Sequence, residues 1–307
     1  MKIEYAIIVK NKTRLETLLE RFNTKAQSKF YIEKMGGNFE EYEQEHDKFH
    51  QALTSLQSQL STVMKHKIIE RQFVSSYIFS ANQLIVVIGQ DGLVANTAKY
   101  SKNIPIVAVN PDKTRYDGVL LPFEVSNFLK GVRQVMNDTF QAKTMRFAEA
   151  KLNDGQRLLA FNDLFIGAAT HISARYKITH KQKSEEHSSS GIIVSTQAGA
   201  TGWLSSVFNM AHNLLRTGDK KTQNKQPQFQ ADELMFVVRE PFKSQRTQTK
   251  IGMGIITTKN TLTLESYMPM NGVIFSDGIE DDFLHFNSGA IATIGIAPET
   301  ARLVLNV

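Results

Sequence analysis

The 307 residues include no cysteine. That absence excludes disulfides, zinc–thiolate centres and cysteine nucleophiles, and it fits a reducing compartment. No apolar stretch approaches the ~18 residues needed to cross a membrane. The amino terminus, with Glu4 inside a short apolar run, reads as a strand and not as a secretory core. A cytoplasmic protein without membrane association is expected. Also missing are a Walker A loop, a Gly-x-Gly-x-x-Gly fingerprint and a Gly-x-Ser-x-Gly elbow. The first two absences remove the commonest phosphate cradles, and the third removes the usual serine hydrolase.

The charge balance is modestly basic, +6, yet the basic residues are scattered. The densest run, Lys177 to Lys183, reads first as a solvated loop face and next as an attractor of anionic small molecules. No aromatic–basic interleaving accompanies it, so nucleic acid is not an expected partner. His46 and His50 stand four apart without the intervening glutamate of a zinc helix, and a surface helix is the reading there. No residue is assigned to a metal.

What is present begins with Leu84 to Ile88, a β-branched apolar run that predicts a buried strand. It breaks into Gly89-Gln90-Asp91-Gly92 and resumes as a helix-compatible stretch from Leu93 to Tyr100. Residues 104–110 then predict a second strand, giving a β-turn-α-β crossover with parallel strands. A carboxylate between glycines at the carboxyl end of such a strand stands where open α/β sheets bind ligands. Asp91-Gly92 as a plain turn is the competing reading.

Around this unit, residues 3–9 predict a strand, 13–22 a helix, 39–65 a long amphipathic helix and 68–74 a short strand. The character changes near residue 143. Segments 144–151, 157–168, 172–179, 191–196, 234–239, 251–257 and 261–266 are short and strand-like, with one helix at about 201–216. Residues 184–190 and 217–230 read as loops. The expected architecture is α/β plus all-β. It comprises a Rossmann-like amino-terminal domain over 1–143, a β-rich domain over 144–287, and a segment 288–307 returning to the first domain.

Three more stretches carry polar groups at strand ends. Asn162-Asp163 closes the run from Arg157 and is either a ligand-facing pair or an ordinary turn. Ser195 to Trp203 runs from a strand into a helix, with Ser195 or Thr201 as a candidate cap. Such helix starts suit phosphate or ribose groups, and a simple capped helix is the alternative. Asp277-Gly278 reads as a type I′ hairpin turn.

In this order the four stretches resemble the signature of the NAD kinase family, within the wider superfamily of diacylglycerol and sphingosine kinases. That family carries Gly-Gly-Asp-Gly, then an Asn-Glu or Asn-Asp pair, then a Ser-Thr-Pro-Thr-Gly-Ser-Thr-Ala-Tyr-like stretch, then an Asp-Gly hairpin. The likeness covers about 80–307. It departs at Gln90 for glycine, Gln197 for proline, Gly202 for alanine and Trp203 for tyrosine. The resemblance implies a kinase that transfers a phosphoryl group from ATP, or another nucleoside triphosphate, to the 2′-hydroxyl of NAD. Mg2+ or another divalent cation would accompany the triphosphate. It implies that Asp91 is the base, that Gly89, Gln90, Gly92 and Asn96 surround phosphates, and that Gly92, Asn162, Asp163, Thr201, Trp203 and Ser206 meet NAD. It also implies a homodimer or homotetramer. A related kinase acting on a sugar or lipid hydroxyl, and a dinucleotide-binding sensor without transfer activity, are the alternatives.

Overall fold

A computed structural model describes residues 3–215 and 227–307. The chain divides into two compact units, one reaching to Thr144 and joined by Ala301–Val307, the other spanning Met145–Thr300. No helix among the described residues is long and apolar enough to cross a membrane.

The first unit runs β1 (Tyr5–Lys10), α1 (Arg14–Phe22), α2 (Lys25–Lys34), α3 (Phe39–Ser61), β2 (Lys65–Glu70), β3 (Gln83–Ile88), α4 (Asp91–Ala98), β4 (Pro105–Asn110), β5 (Phe123–Glu124) and α5 (Phe128–Met136). Its strands lie in the order β2-β1-β3-β4, and every pairing among them is parallel. Ile7 faces Ile85 and Ile85 faces Ile106, so the buried runs stand side by side. Near-continuous apolar strands are what a parallel sheet covered on both faces requires. Phe49, Leu53, Leu56 and Leu60, spaced as successive helical turns, put one stripe of α3 onto Ile8, Leu84 and Val86. At the amino end, Leu15, Ile32 and Phe39 form a small cluster that packs α1, α2 and α3 together.

Four local expectations are corrected here. α2 lies where no helix is expected, because its apolar residues form no continuous stripe and only Ser28 and Ile32 are buried. The predicted strand at 68–74 is β2 ending at Glu70, followed by a tight helical turn over Arg71–Phe73. The long helix ends at Ser61 and not at 65. The helix after the glycine-rich turn begins at Asp91 itself, so Asp91 and Gly92 belong to its first turn.

The second unit contains β6 (Ala142–Leu152, which starts in the first), β7 (Arg157–Ala160), β8 (Asp163–Ala168), β9 (Ala174–His180), β10 (Lys183–Ser189), β11 (Ile192–Ser195), α6 (Trp203–Leu215), β12 (Leu234–Val238), β13 (Met253–Ile256), β14 (Leu262–Ser266), β15 (Gly272–Ser276), β16 (Ile279–His285) and β17 (Ile291–Val304, whose end lies in the first unit). One of its sheets has the order β13-β12-β11-β8-β15-β16, all antiparallel. Against it stand β10-β9-β14-β17. Leu164, Ile166, Val194 and Phe236 of the first set share a core with Tyr176, Ile178, Leu264 and Ile294 of the second. Two sheets facing across one apolar layer is the sandwich solution.

The run 157–168 is two strands, broken at Phe161-Asn162. The expected loop at 184–190 is β10. Its polar composition hides it, because the side chains that turn inward are His187 and Ser189, each making a hydrogen bond: Nε2 of His187 with Glu185 at 3.1 Å, Oγ of Ser189 with the Tyr176 hydroxyl at 2.7 Å. As an edge strand it needs only one backbone partner, β9. Of the expected loop 217–230, residues up to 226 lie outside the described part. The helix placed at 201–216 is described as α6 from Trp203 to Leu215.

Candidate functional site

In the first unit the sheet delivers Gly89 to the carboxyl end of a central strand. A Cβ there would stand 3.0 Å from Cδ2 of Leu93, on the first turn of α4. Gln90 precedes the helix in an extended conformation and makes no side-chain capping bond. Its side chain is exposed. Asp91 is half-buried. Its Oδ1 accepts the Leu120 N–H at 2.7 Å, which fastens the turn at residues 118–121 to the helix start. Its Oδ2 has no hydrogen bond among the described residues. A carboxylate at the first turn also lies favourably in the helix dipole.

Asn96 is buried, and its amide donates back to the Gly92 carbonyl at 2.8 Å. The Asn96 Oδ1 atom has no partner among the described residues. Its donor is therefore spent on bracing the helix turn. Beside Gly89 and Gln90 opens a cavity of about 330 Å³, with Lys12, Arg14, Glu45 and Arg115 in its walls. Glu45 pairs with both Arg14 and Arg115, the latter at 2.9 Å, and Lys12 pairs with Glu20. Each cation at this mouth is thus paired, with Arg14 and Arg115 sharing the single Glu45 carboxylate.

In the second unit, β8 lies between β11 and β15, so the start of β8 sits beside the ends of both neighbours. The Asp277 carboxylate accepts backbone N–H groups from Phe161 (3.0 Å), Asn162 (2.6 Å) and Asp163 (3.3 Å). Asp277 and Gly278 both have positive φ, 55° and 68°, in a two-residue link between Ser276 and Ile279. That is the type I′ hairpin the sequence predicts. The turn also has a second role, as receptor for the backbone of 161–163. The Thr196 hydroxyl donates to the Phe161 carbonyl at 2.6 Å, and the Thr196 N–H donates to the Asn162 carbonyl at 2.9 Å. Gly199 lies so close that a Cβ there would stand 2.2 Å from the Asn162 carbonyl oxygen.

This clamp leaves two side chains without hydrogen-bond partners among the described residues, the half-buried Asn162 amide and the Asp163 carboxyl. Asp163 is 8% exposed. Burial first, and the neighbouring Asp277 charge second, push its pKa up to about 7. A polar pair held by its backbone with its side chains unspent is suited to a ligand.

Trp203 opens α6 and stacks on Phe165, ring centroids 5.7 Å apart and planes 10° apart, with Phe275 beyond at 6.5 Å. The Arg239 guanidinium lies 5.6 Å from the indole centre. These four residues line a cavity of about 780 Å³ together with His171 and Phe283. Room for the Phe165 ring depends on Gly191, where φ is 102° and a Cβ would stand 2.7 Å from Cε2 of the ring. Thr201 and Ser206 are exposed. The Ser206 hydroxyl turns back to the Gly202 carbonyl at 3.3 Å. The expected cap at Ser195 is not formed, because its buried hydroxyl donates to the Thr196 carbonyl at 3.0 Å.

No family model and no curated protein sequence matches the chain. Solved structures do. Yeast NADH kinase, in a crystal structure complexed with NADH, superposes with a TM-score of 0.57 at 12% identity, over 100% of this chain and 85% of that one. An NAD kinase from Archaeoglobus fulgidus, crystallised with ATP, gives 0.52 at 14% identity, over 98% of this chain and 94% of that one. The fold is that of the NAD kinases.

On that NAD kinase fold, the structure gathers Gly89, Gln90, Asp91, Gly92 and Asn96 in the first unit. In the second it gathers Asn162, Asp163 and the start of the helix that carries Trp203. Phe165 and Arg239 escape sequence reasoning, while Thr196 and Asp277 lie in stretches it singles out but with no contact to residues 161–163 foreseen. Only Asp277 carries a signal, since a carboxylate in a type I′ turn is replaceable by asparagine unless something else needs its second oxygen.

Proposed function

We propose that the chain is a phosphotransferase that moves the terminal phosphoryl group of ATP, or another nucleoside triphosphate, to the 2′-hydroxyl of NAD, giving NADP. The observation that carries this reading is Asp91. It stands just after β3, in the first turn of α4, with Oδ1 anchored to Leu120 and Oδ2 without a hydrogen bond among the described residues. One oxygen fixes the group, and the other is available to take a proton, as a general base requires. The kinase neighbours crystallised with NADH and with ATP support a dinucleotide acceptor and a triphosphate donor.

In the transfer, Asp91 Oδ2 takes the 2′-hydroxyl proton as that oxygen bonds to the γ-phosphorus. The bond from phosphorus to the β–γ bridging oxygen breaks, and ADP leaves. Mg2+ or another divalent cation bound with the donor would neutralise triphosphate charge. The backbone of Gly89 to Gly92 and the amino end of α4 meet phosphate oxygens. Gln90 presents a side chain there, and Asn96 holds the helix turn. In the second unit, Asn162 and Asp163 hold the adenine–ribose edge of NAD. Trp203 offers a stacking face, with Thr201 and Ser206 at the exposed rim. Homodimers or homotetramers in the cytoplasm complete the proposal.

The test is incubation of purified protein with ATP, magnesium and NAD or NADH, followed by assay for the 2′-phosphorylated product. Asp91→Asn should lower kcat by about 10²- to 10⁴-fold with NAD binding retained. Retained turnover in that variant removes Asp91 as base. NAD binding without any product favours a sensor. Phosphorylation of a sugar or lipid alcohol in place of NAD favours the related kinase.

A further inference from the structure

We infer that Glu16, His46 and His50 form a site for one divalent transition-metal ion of the zinc class. The site lies wholly in the first unit and is independent of the proposed kinase activity. Each residue offers one ligand atom, and the three atoms lie within 4.8 Å of one another. His46 and His50 occupy successive turns of α3, with ring centroids 4.3 Å apart. Histidines four apart on one helical face are the spacing that lets two imidazoles share an ion. Glu16, on α1, supplies the third donor.

The distances suit a metal. Nε2 of His50 lies 3.1 Å from Oε1 of Glu16. Two ligands of a tetrahedral ion with bonds of about 2.0 Å lie about 3.3 Å apart. The pair is thus already spaced as a coordination edge, and the His46 nitrogen, within 4.8 Å of both, closes the triangle. Three nitrogen and oxygen donors leave one position for water, the usual pattern of an open zinc site. A mixed imidazole–carboxylate set selects zinc or its borderline neighbours over calcium or magnesium.

The supporting contacts converge on one residue. Thr13 donates its backbone N–H to Oε2 of Glu16 at 2.7 Å, the capping box of α1. Its hydroxyl lies 2.9 Å from Nδ1 of His46. Outer hydrogen bonds of this kind orient metal ligands and set the imidazole tautomer. The rival for Glu16 is Lys10, whose Nζ lies 3.6 Å from Oε1. Glu70 stands 3.5 Å from the same ammonium and holds it when an ion takes Glu16.

The experiment titrates the full chain, stripped with a chelator, first with cobalt(II) and then with zinc(II), by visible absorbance and calorimetry. Expected is one saturable equivalent of cobalt, displaced by zinc, with a zinc-dependent rise in thermal midpoint. Glu16→Gln, His46→Gln and His50→Gln should each weaken binding by about tenfold or more. His212→Gln and Asp91→Asn should leave it unchanged, the latter separating this site from the kinase reading. The inference is overturned if the wild-type chain takes up no cobalt, or if uptake survives in the His46→Gln/His50→Gln double variant. Should circular dichroism show that the double variant is unfolded, undiminished affinity in the folded His50→Gln chain overturns it equally.

Discussion

The carboxylate of Asp277 accepts the backbone N–H of Asn162 at 2.6 Å across a separation of 115 residues. It takes the N–H groups of Phe161 and Asp163 as well. One turn residue thereby fixes the backbone that presents Asn162 and Asp163.

Asp277→Ala should leave three N–H groups short of an acceptor. At about 1–3 kcal/mol for each buried group left unsatisfied, even one or two such losses predict a large drop in stability. The check is thermal unfolding, combined with hydrogen exchange at residues 161–163, where protection should fall first. Unchanged exchange there would sink the clamp.

Asp163 gives a pH dependence of definite sign. Its ordinary value is 3.8 and its folded value about 7. Between these the folded chain keeps a proton that the unfolded chain releases, so its contribution to stability is fully present below about pH 4. That contribution falls as pH rises and is spent above about pH 7. At about 1.4 kcal/mol per unit the full span is about 4 kcal/mol. Asp163→Asn should flatten the decline and gain on the wild-type chain at pH 8, as read from unfolding midpoints across pH. A parallel pair of profiles would refute it.

Gly199→Ala places a methyl group 2.2 Å from the Asn162 carbonyl oxygen, a contact that backbone on both sides must yield to. We expect a loss of about 1–3 kcal/mol, typical of overpacking, with faster proteolysis between 195 and 203. Gly202→Ala, whose Cβ would find only the Gly199 carbonyl at 3.4 Å, is the milder control.

Trp203 is the one tryptophan of the chain, so intrinsic emission reports on its stacked ring alone. Under the proposed function, NAD should change that emission saturably. Arg239→Ala removes a cation over the indole and should shift the starting emission and weaken the response, consistent with about 0.5–2 kcal/mol for such a pair. Emission indifferent to NAD, with NAD binding established by calorimetry, would move the dinucleotide away from this face.

The parts legible in the sequence are those where one local signal decides. The run Leu84–Ile88 can only be buried, and Gly89 to Gly92 must break it. The stripe Phe49-Leu53-Leu56-Leu60 likewise announces its helix. β10 was not legible, because its inward residues, His187 and Ser189, are polar. α2 was not legible, because a helix held by two buried positions leaves no stripe. At the site, Asp91 was visible as a carboxylate at a strand end. Its bond to Leu120 was not, and neither was the stack of Phe165, Trp203 and Arg239, which joins three separate stretches of chain. These are relations between distant segments, and no local pattern records them.

The clamp on residues 161–163 is addressed almost entirely to main-chain atoms. Asp277 and Thr196 recognise N–H and C=O groups that every residue type supplies, and Gly199 makes room for a carbonyl. Side chains along this stretch are set separately, by what they pack against, as the buried Phe161 ring is by Phe147. An architecture written in peptide groups leaves the choice of side chains to other constraints. The chain superposes on the two kinase structures over nearly all its length while sharing about one residue in eight with them.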